Sequence, residues 1–140
     1  YKAMQAAGMK LQDHGTVLVS VCTSDLEEAF PLIRRFYRMG FNIEATTGTA
    51  EFLKARGIRT RVKRDYTEDP ADITEAMRSG KVAYLINTRD PSSTTHVNAG
   101  QDMRRLAIEN NVTAFTSLDT VQALLDVPEA ITSRIATIDE

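Results

Sequence analysis

"TVLVSVCTSDLEEAFPLIRRFYRMGFNIEATTGT" runs from Thr16 to Thr49 and carries the fold in miniature. Thr16 to Cys22 is mostly β-branched or apolar and reads as a strand. Leu26, Ala29, Phe30, Ile33, Phe36 and Tyr37 then recur at helical spacing, with one stripe to bury. Ser24 or Asp25 is placed to cap that helix and Gly40 to stop it. Pro31 lies inside the pattern, which predicts a kink or a shortened first turn. "FNIEAT" (41–46) is the next strand.

The alternation continues downstream. "AEFLKARG" (50–57) reads as a helix stopped at Gly57. "RTRVKRD" (59–65) alternates charge with apolar residues, as an edge or half-exposed strand would. "PADITEAMRSG" (70–80) places Pro70 near a helix start and Gly80 at its stop. "VAYLIN" (82–87) is nearly all apolar, the signature of a strand covered on both faces. A helix from about Gln101 to Glu109, the strand "VTAFTS" (112–117) and an amphipathic helix through Val121, Leu124 and Leu125 close the pattern. The expected fold is α/β: a three-layer, doubly wound, Rossmann-like arrangement with a five-stranded parallel sheet and right-handed crossovers.

The 140 residues suit one domain, with 42% hydrophobic and 26% charged residues, as in soluble globular proteins. The net charge of −2 and the lack of a Lys/Arg block argue against nucleic acid as a partner. No apolar run approaches the roughly 18 residues needed to span a bilayer, so no membrane partner is expected. Cys22 cannot form an internal disulfide and reads as a small core residue. His14 and His96 have no cysteine neighbours at zinc-ligand spacing, so no metal site is expected.

In a parallel sheet every strand ends on one edge, where ligands bind. The residues following the strands are therefore the candidates. They are Ser20, Thr23 and Ser24, then Thr46, Thr47, Gly48 and Thr49, then Arg64 and Asp65, then Asn87, Thr88 and Arg89, and last Thr116 and Ser117. Small donors beside helix N-termini favour an anion. Each stretch alone is equally well a helix cap, and "TTGT" lacks P-loop spacing. Asp69, Asp72, Asp90, His96 and Asp102 are positioned for proton transfer, but turns and caps account for them as readily.

These residues carry a resemblance. "HGTVLVSV" (14–21), "GFNIEATTGTAEFLKARGI" (40–58), "AYLINT" (83–88), "MRRLAIENNV" (103–112) and "FTSLDTVQALL" (115–125) resemble the C-terminal regulatory domain of the carbamoyl-phosphate synthase large subunit, a methylglyoxal-synthase-like domain. The most specific element is the A-T-x-G-T-A core at Ala45, Thr46, Gly48, Thr49 and Ala50. "YKAMQAAG" at the start resembles the end of the preceding synthetase domain, so the expected division is 1–15, a regulatory domain over 16–127 and a tail over 128–140.

The resemblance implies a non-catalytic, cytoplasmic module that binds UMP, a purine nucleotide or phosphoribosyl pyrophosphate. It needs no cofactor of its own. Its parent uses ATP with magnesium or manganese, and its partners are the rest of the large subunit and a glutaminase small subunit. By the same resemblance Thr46 and Thr49 hold the phosphate with Ser20 beneath, and Asn87 and Thr88 contact the phosphate or the sugar and base. The stretch from Asn87 to Asn98 is then expected to wall the pocket, with Arg89 also on the ligand and Ser92 to Thr95 as a flap.

The chain departs from the family where lysines are expected, at Leu26 and Asp65, and in reading Arg89-Asp90-Pro91-Ser92 after the fourth strand. Arg64 and Arg89 could supply the missing charge. Two other readings stand beside it. One is methylglyoxal synthase, acting on dihydroxyacetone phosphate through Asp90, His96 and Asp102, although "KRDYTEDPAD" lacks that enzyme's glycine-rich loop. The other is an interaction domain with a vestigial site.

Overall fold

The computed structural model describes residues 15–66, 68–88 and 94–126. Strand β1 (Thr16–Ser20) leads through a 3-10 turn (Thr23–Asp25) to helix α1 (Leu26–Arg38), and β2 (Asn42–Thr46) runs straight into α2 (Thr47–Ala55). Then come β3 (Thr60–Lys63), α3 (Pro70–Arg78), β4 (Val82–Asn87), α4 (Thr94–Glu109), β5 (Thr113–Phe115) and a last helix, α5, over 118–126. Of the expected division into 1–15, 16–127 and 128–140, residues 1–14 and 127–140 lie outside the described residues.

All five strands are parallel, in the order β3-β2-β1-β4-β5. The chain winds outward from β1 to β3, then returns to place β4 on the other side of β1. That reversal makes β1 and β4 the switch point of the sheet, where the crossovers diverge and open a crevice. Ser20 and Asn87 are register partners at its mouth.

Side chains of β1 alternate between two cores, as the strand period requires. Val17 and Val19 face a core built with Leu32, Ile33 and Phe36 of α1, Leu53 of α2 and Val121 and Leu125 of α5. Leu18 faces Ile73 and Met77 of α3 and Met103 and Ala107 of α4. Helices thus cover both faces, and all six residues of β4 are buried, as its apolar run implies. Tyr84 joins the larger core through ring contacts with Phe36 (5.6 Å), Phe41 (5.9 Å) and Phe115 (6.1 Å). β3 is an edge strand with Arg61 and Val62 exposed.

Several local expectations are corrected. Helix α1 continues through Pro31, and its start is tightened into the 3-10 turn. Asp25 sits at the cap position but makes no side-chain cap bond; its Oδ2 accepts from Cys22 Sγ at 3.1 Å. Cys22 is half-buried beyond the end of β1 rather than in the core. Helix α4 begins at Thr94, so Thr94 and Thr95 form its first turn and Gly100 and Asp102 lie inside it. The end of α2 follows the expected pattern: Gly57 takes φ 86°, its N–H bonds Lys54 at 3.1 Å and the Ile58 N–H returns to Leu53 at 3.0 Å.

Candidate functional site

Above the C-terminal ends of β1, β2 and β4 lies a cavity of about 890 Å³, bordered also by α4. Its polar side is built by Ser20, Thr46, Gly48, Asn87 and Thr88, and its apolar side by Leu26, Phe52 and Met103. Each polar group is there for a local reason. Ser20 and Asn87 end adjacent strands, Thr46 is the cap residue between β2 and α2, and Gly48 lies in the first turn of α2.

The hydroxyls cluster around Thr46. Thr46 Oγ1 lies 3.5 Å from both Ser20 Oγ and Thr49 Oγ1. Thr49 Oγ1 donates to the Val21 carbonyl at 3.3 Å and accepts from the Val21 N–H at 3.2 Å. On the other side, Thr88 Oγ1 accepts from the Cys22 N–H at 3.1 Å, and the Thr88 N–H bonds the Ser20 carbonyl at 3.0 Å. These bonds fold the exit of β1 between the ends of β2 and β4.

Two groups are left over. Ser20 accepts from Thr46, and its own O–H meets no acceptor among the described residues. Asn87 is only 7% exposed, borders the cavity, and its side-chain amide bonds none of the described residues. No buried side-chain polar atom among the described residues lacks a partner, so the Asn87 amide is reached from the cavity itself. Above them the first turn of α2 presents N–H groups that have no partner within the helix. Their positive end favours an anion.

Charge in the cavity is less simple. Glu51 and Asp65 border it, and no lysine or arginine lines it among the described residues. Arg64, the expected cation, turns away: its Nη1 pairs with Asp69 at 2.8 Å, and its N–H donates to Asp72 at 2.9 Å. Asp69 is also the cap of α3, accepting from the Ala71 N–H at 3.0 Å.

The structure therefore brings Ser20, Thr46, Gly48, Thr49, Asn87 and Thr88 together, with Thr23, Ser24 and Asp65 at the border. It leaves Thr47 exposed and Arg64 outside. Ser117 serves as a cap, accepting from the Thr120 N–H at 3.4 Å, and neither it nor Thr116 lines the cavity. Asp102 faces outward near Arg105 at 3.8 Å. Arg89, Asp90, Ser92 and Ser93 lie outside the described residues, as does the side chain of His96.

Sequence reasoning did not single out Glu51, Phe52 or Met103 as bordering the cavity. A signal existed for two of them: Gly48, Glu51 and Phe52 fall at i, i+3 and i+4, one face of α2. Among the described residues no cluster of three metal-ligating side chains occurs, and no helix is long and apolar enough to cross a membrane.

The fold is shared with known proteins. The crystal structure of methylglyoxal synthase from Elizabethkingia anophelis NUHP1 is similar, with a TM-score of 0.65 over 82% of this chain and 79% of that one. At 12% identity that likeness is one of fold. The family model for the MGS-like domain matches residues 28–116, from α1 to the first residue after β5. The chain belongs to the MGS-like domain family.

Proposed function

We propose that this domain is a non-catalytic effector module of a carbamoyl-phosphate synthase large subunit, and that its ligand is a phosphorylated nucleotide such as UMP or a purine nucleotide, or phosphoribosyl pyrophosphate. The Asn87 amide, open to the cavity, carries the proposal. It faces the cavity without a partner among the described residues, beside the Ser20 hydroxyl and the start of α2. The amide is open to the cavity, so a phosphoryl or ribosyl oxygen bound there could bond it in place of solvent. A cavity of about 890 Å³ is in the range that encloses a nucleotide-sized ligand. Regulation follows only if the ligand binds two states of the parent enzyme with different affinity, and the coupling is then reciprocal.

One observation favours a second reading, a lyase acting on dihydroxyacetone phosphate. Asp65 borders the same cavity as the candidate phosphate donors, where a carboxylate could take a proton from substrate.

The experiment is a thermal-shift series on this chain with UMP, IMP, phosphoribosyl pyrophosphate and dihydroxyacetone phosphate, alongside an assay for methylglyoxal. A ligand at 100 times its dissociation constant stabilises the fold by about 2.7 kcal/mol. A shift with a nucleotide or with phosphoribosyl pyrophosphate, and no turnover, is the expected result. No shift at millimolar concentration with any of them ends the effector reading.

A further inference from the structure

We infer that Phe52 and Leu26 form a subsite for the nucleobase, so that the cavity selects a phosphate ester bearing a planar ring over base-free sugar phosphates. The inference rests on the effector reading and narrows it to one of its ligand classes. Phosphoribosyl pyrophosphate would then be a poor ligand.

The argument starts from α2. Gly48, Glu51 and Phe52 share the helix face that borders the cavity. Gly48 lies in the first turn, where the N–H groups would meet a phosphoryl oxygen. Phe52 follows four residues later, about 6 Å along the axis at 1.5 Å per residue. That is about the width of a pentose. The surface between is open: a Cβ built on Gly48 meets nothing within 4 Å. A ligand with its phosphate at the start of α2 and its sugar over Gly48 would bring its base to the Phe52 ring.

The ring is held ready. Phe52 is half-buried, with Phe30 packed at 6.3 Å and an interplanar angle of 76°. The Arg56 guanidinium sits 3.7 Å from the Phe52 ring centroid and lies 3.9 Å from Glu27. A ring fixed by its neighbours loses little freedom when a base packs against it. Leu26 supplies the adjoining apolar surface, and Met103 approaches from α4. Leu26, Phe52 and Met103 offer no hydrogen bond to a phosphate or a sugar hydroxyl, so the apolar wall they form favours a planar ring over a base-free ligand.

The test is calorimetric titration of the chain with UMP, IMP, ribose 5-phosphate and orthophosphate, repeated on Phe52→Ala and Phe52→Leu. In the native chain UMP or IMP should bind at least about tenfold tighter than ribose 5-phosphate. Phe52→Ala should reduce the nucleotide to the level of ribose 5-phosphate and leave ribose 5-phosphate unchanged. Phe52→Leu keeps apolar bulk but loses the ring, and should give the same ordering if the alanine variant fails to fold. Equal affinity for nucleotide and ribose 5-phosphate in the native chain would overturn the subsite and leave the phosphate site standing. A loss shared alike by both ligands in the variants would also overturn it. Silence from every ligand removes the subsite and the effector reading together.

Discussion

Thr49 holds both backbone groups of Val21 through a single hydroxyl, accepting from its N–H at 3.2 Å and donating to its carbonyl at 3.3 Å. The two residues are 28 apart in sequence, and both are buried. This bond replaces the ladder that β1 loses when it ends at Ser20. The hydroxyl's one proton is spent on Val21, so Thr49 shapes the site and has no proton left to donate to a ligand. Thr49→Ala should therefore cost about 1–3 kcal/mol of stability, since it strands two buried backbone groups. Thr49→Ser keeps the hydroxyl and should cost only about the 0.8 kcal/mol of one buried methyl group. Urea unfolding of the two variants checks this. Equal stability in both would mean that Thr49 is not the staple.

Gly48 gives the opposite signature. It lies in the first turn of α2, lacks a positive φ, and has open space where a Cβ would project. Nothing in the fold requires glycine there. Gly48→Ala should stabilise the chain by about 0.4–1 kcal/mol, by restricting the unfolded state. The same methyl enters the cavity and should weaken a bound nucleotide by about tenfold, a steric cost of roughly 1.4 kcal/mol. Unfolding and titration of one variant test both halves. A gain in stability with unchanged binding would move the ligand away from the start of α2.

Asp65 separates the effector from the lyase. It borders the cavity, opposite in charge to any cation that would welcome phosphate. If the cavity only binds, Asp65→Asn removes a repulsion and should tighten phosphate binding by about 1 kcal/mol, or about fivefold. If Asp65 transfers a proton, the same change should remove about 10²–10⁴ of the turnover of dihydroxyacetone phosphate. Titration and the methylglyoxal assay on one protein sample decide between them.

The sheet was legible because each strand's burial is written in its own residues. Val82 to Asn87 reads as buried on both faces and is, while the alternating charges of 59–65 mark the edge strand. The starts of helices were not legible where hydroxyls open them. Thr94, Thr95 and Thr47 are poor helix formers, so they resemble loop, yet each lies in a first turn. Cys22 misleads in the other direction: it continues an apolar run after the strand has ended at Ser20. The candidate site was legible wherever it follows from strand ends, as at Ser20, Thr46 and Asn87. Arg64 was misplaced because its partner is settled by the cap of α3, a contact that spacing in the chain does not reveal.

That cap can be weighed. Asp69 Oδ1 accepts from the Ala71 N–H, and its Oδ2 takes Arg64 at 2.8 Å. Asp69→Ala should cost about 1 kcal/mol, chiefly the cap. Arg64→Ala should change stability by less than about 0.5 kcal/mol, because the pair is exposed and screened. Neither should alter nucleotide affinity, since neither side chain lines the cavity. A titration of Arg64→Ala that lost binding would return the arginine to the site.

The far end of α5 offers a pH test remote from the cavity. Asp126 accepts from Gln122 Nε2 at 3.0 Å and from Arg35 Nη1 at 3.0 Å, while Arg35 also donates to the Leu125 carbonyl at 3.1 Å. The bond from Gln122, then that from Arg35, holds the Asp126 carboxyl below the ordinary value of 3.8. A carboxylate whose folded pKa lies below its unfolded one stabilises the fold above the unfolded value, and loses that contribution as pH falls through the folded one. The native chain should therefore outlast Asp126→Asn in urea at pH 7, by the same margin at pH 5, and by a shrinking margin once the pH drops below 3.8. Because the pair is exposed, salt should shrink the margin at neutral pH as well. A margin that stayed constant into acid would mean that the tie between α1 and α5 depends on shape and not on charge.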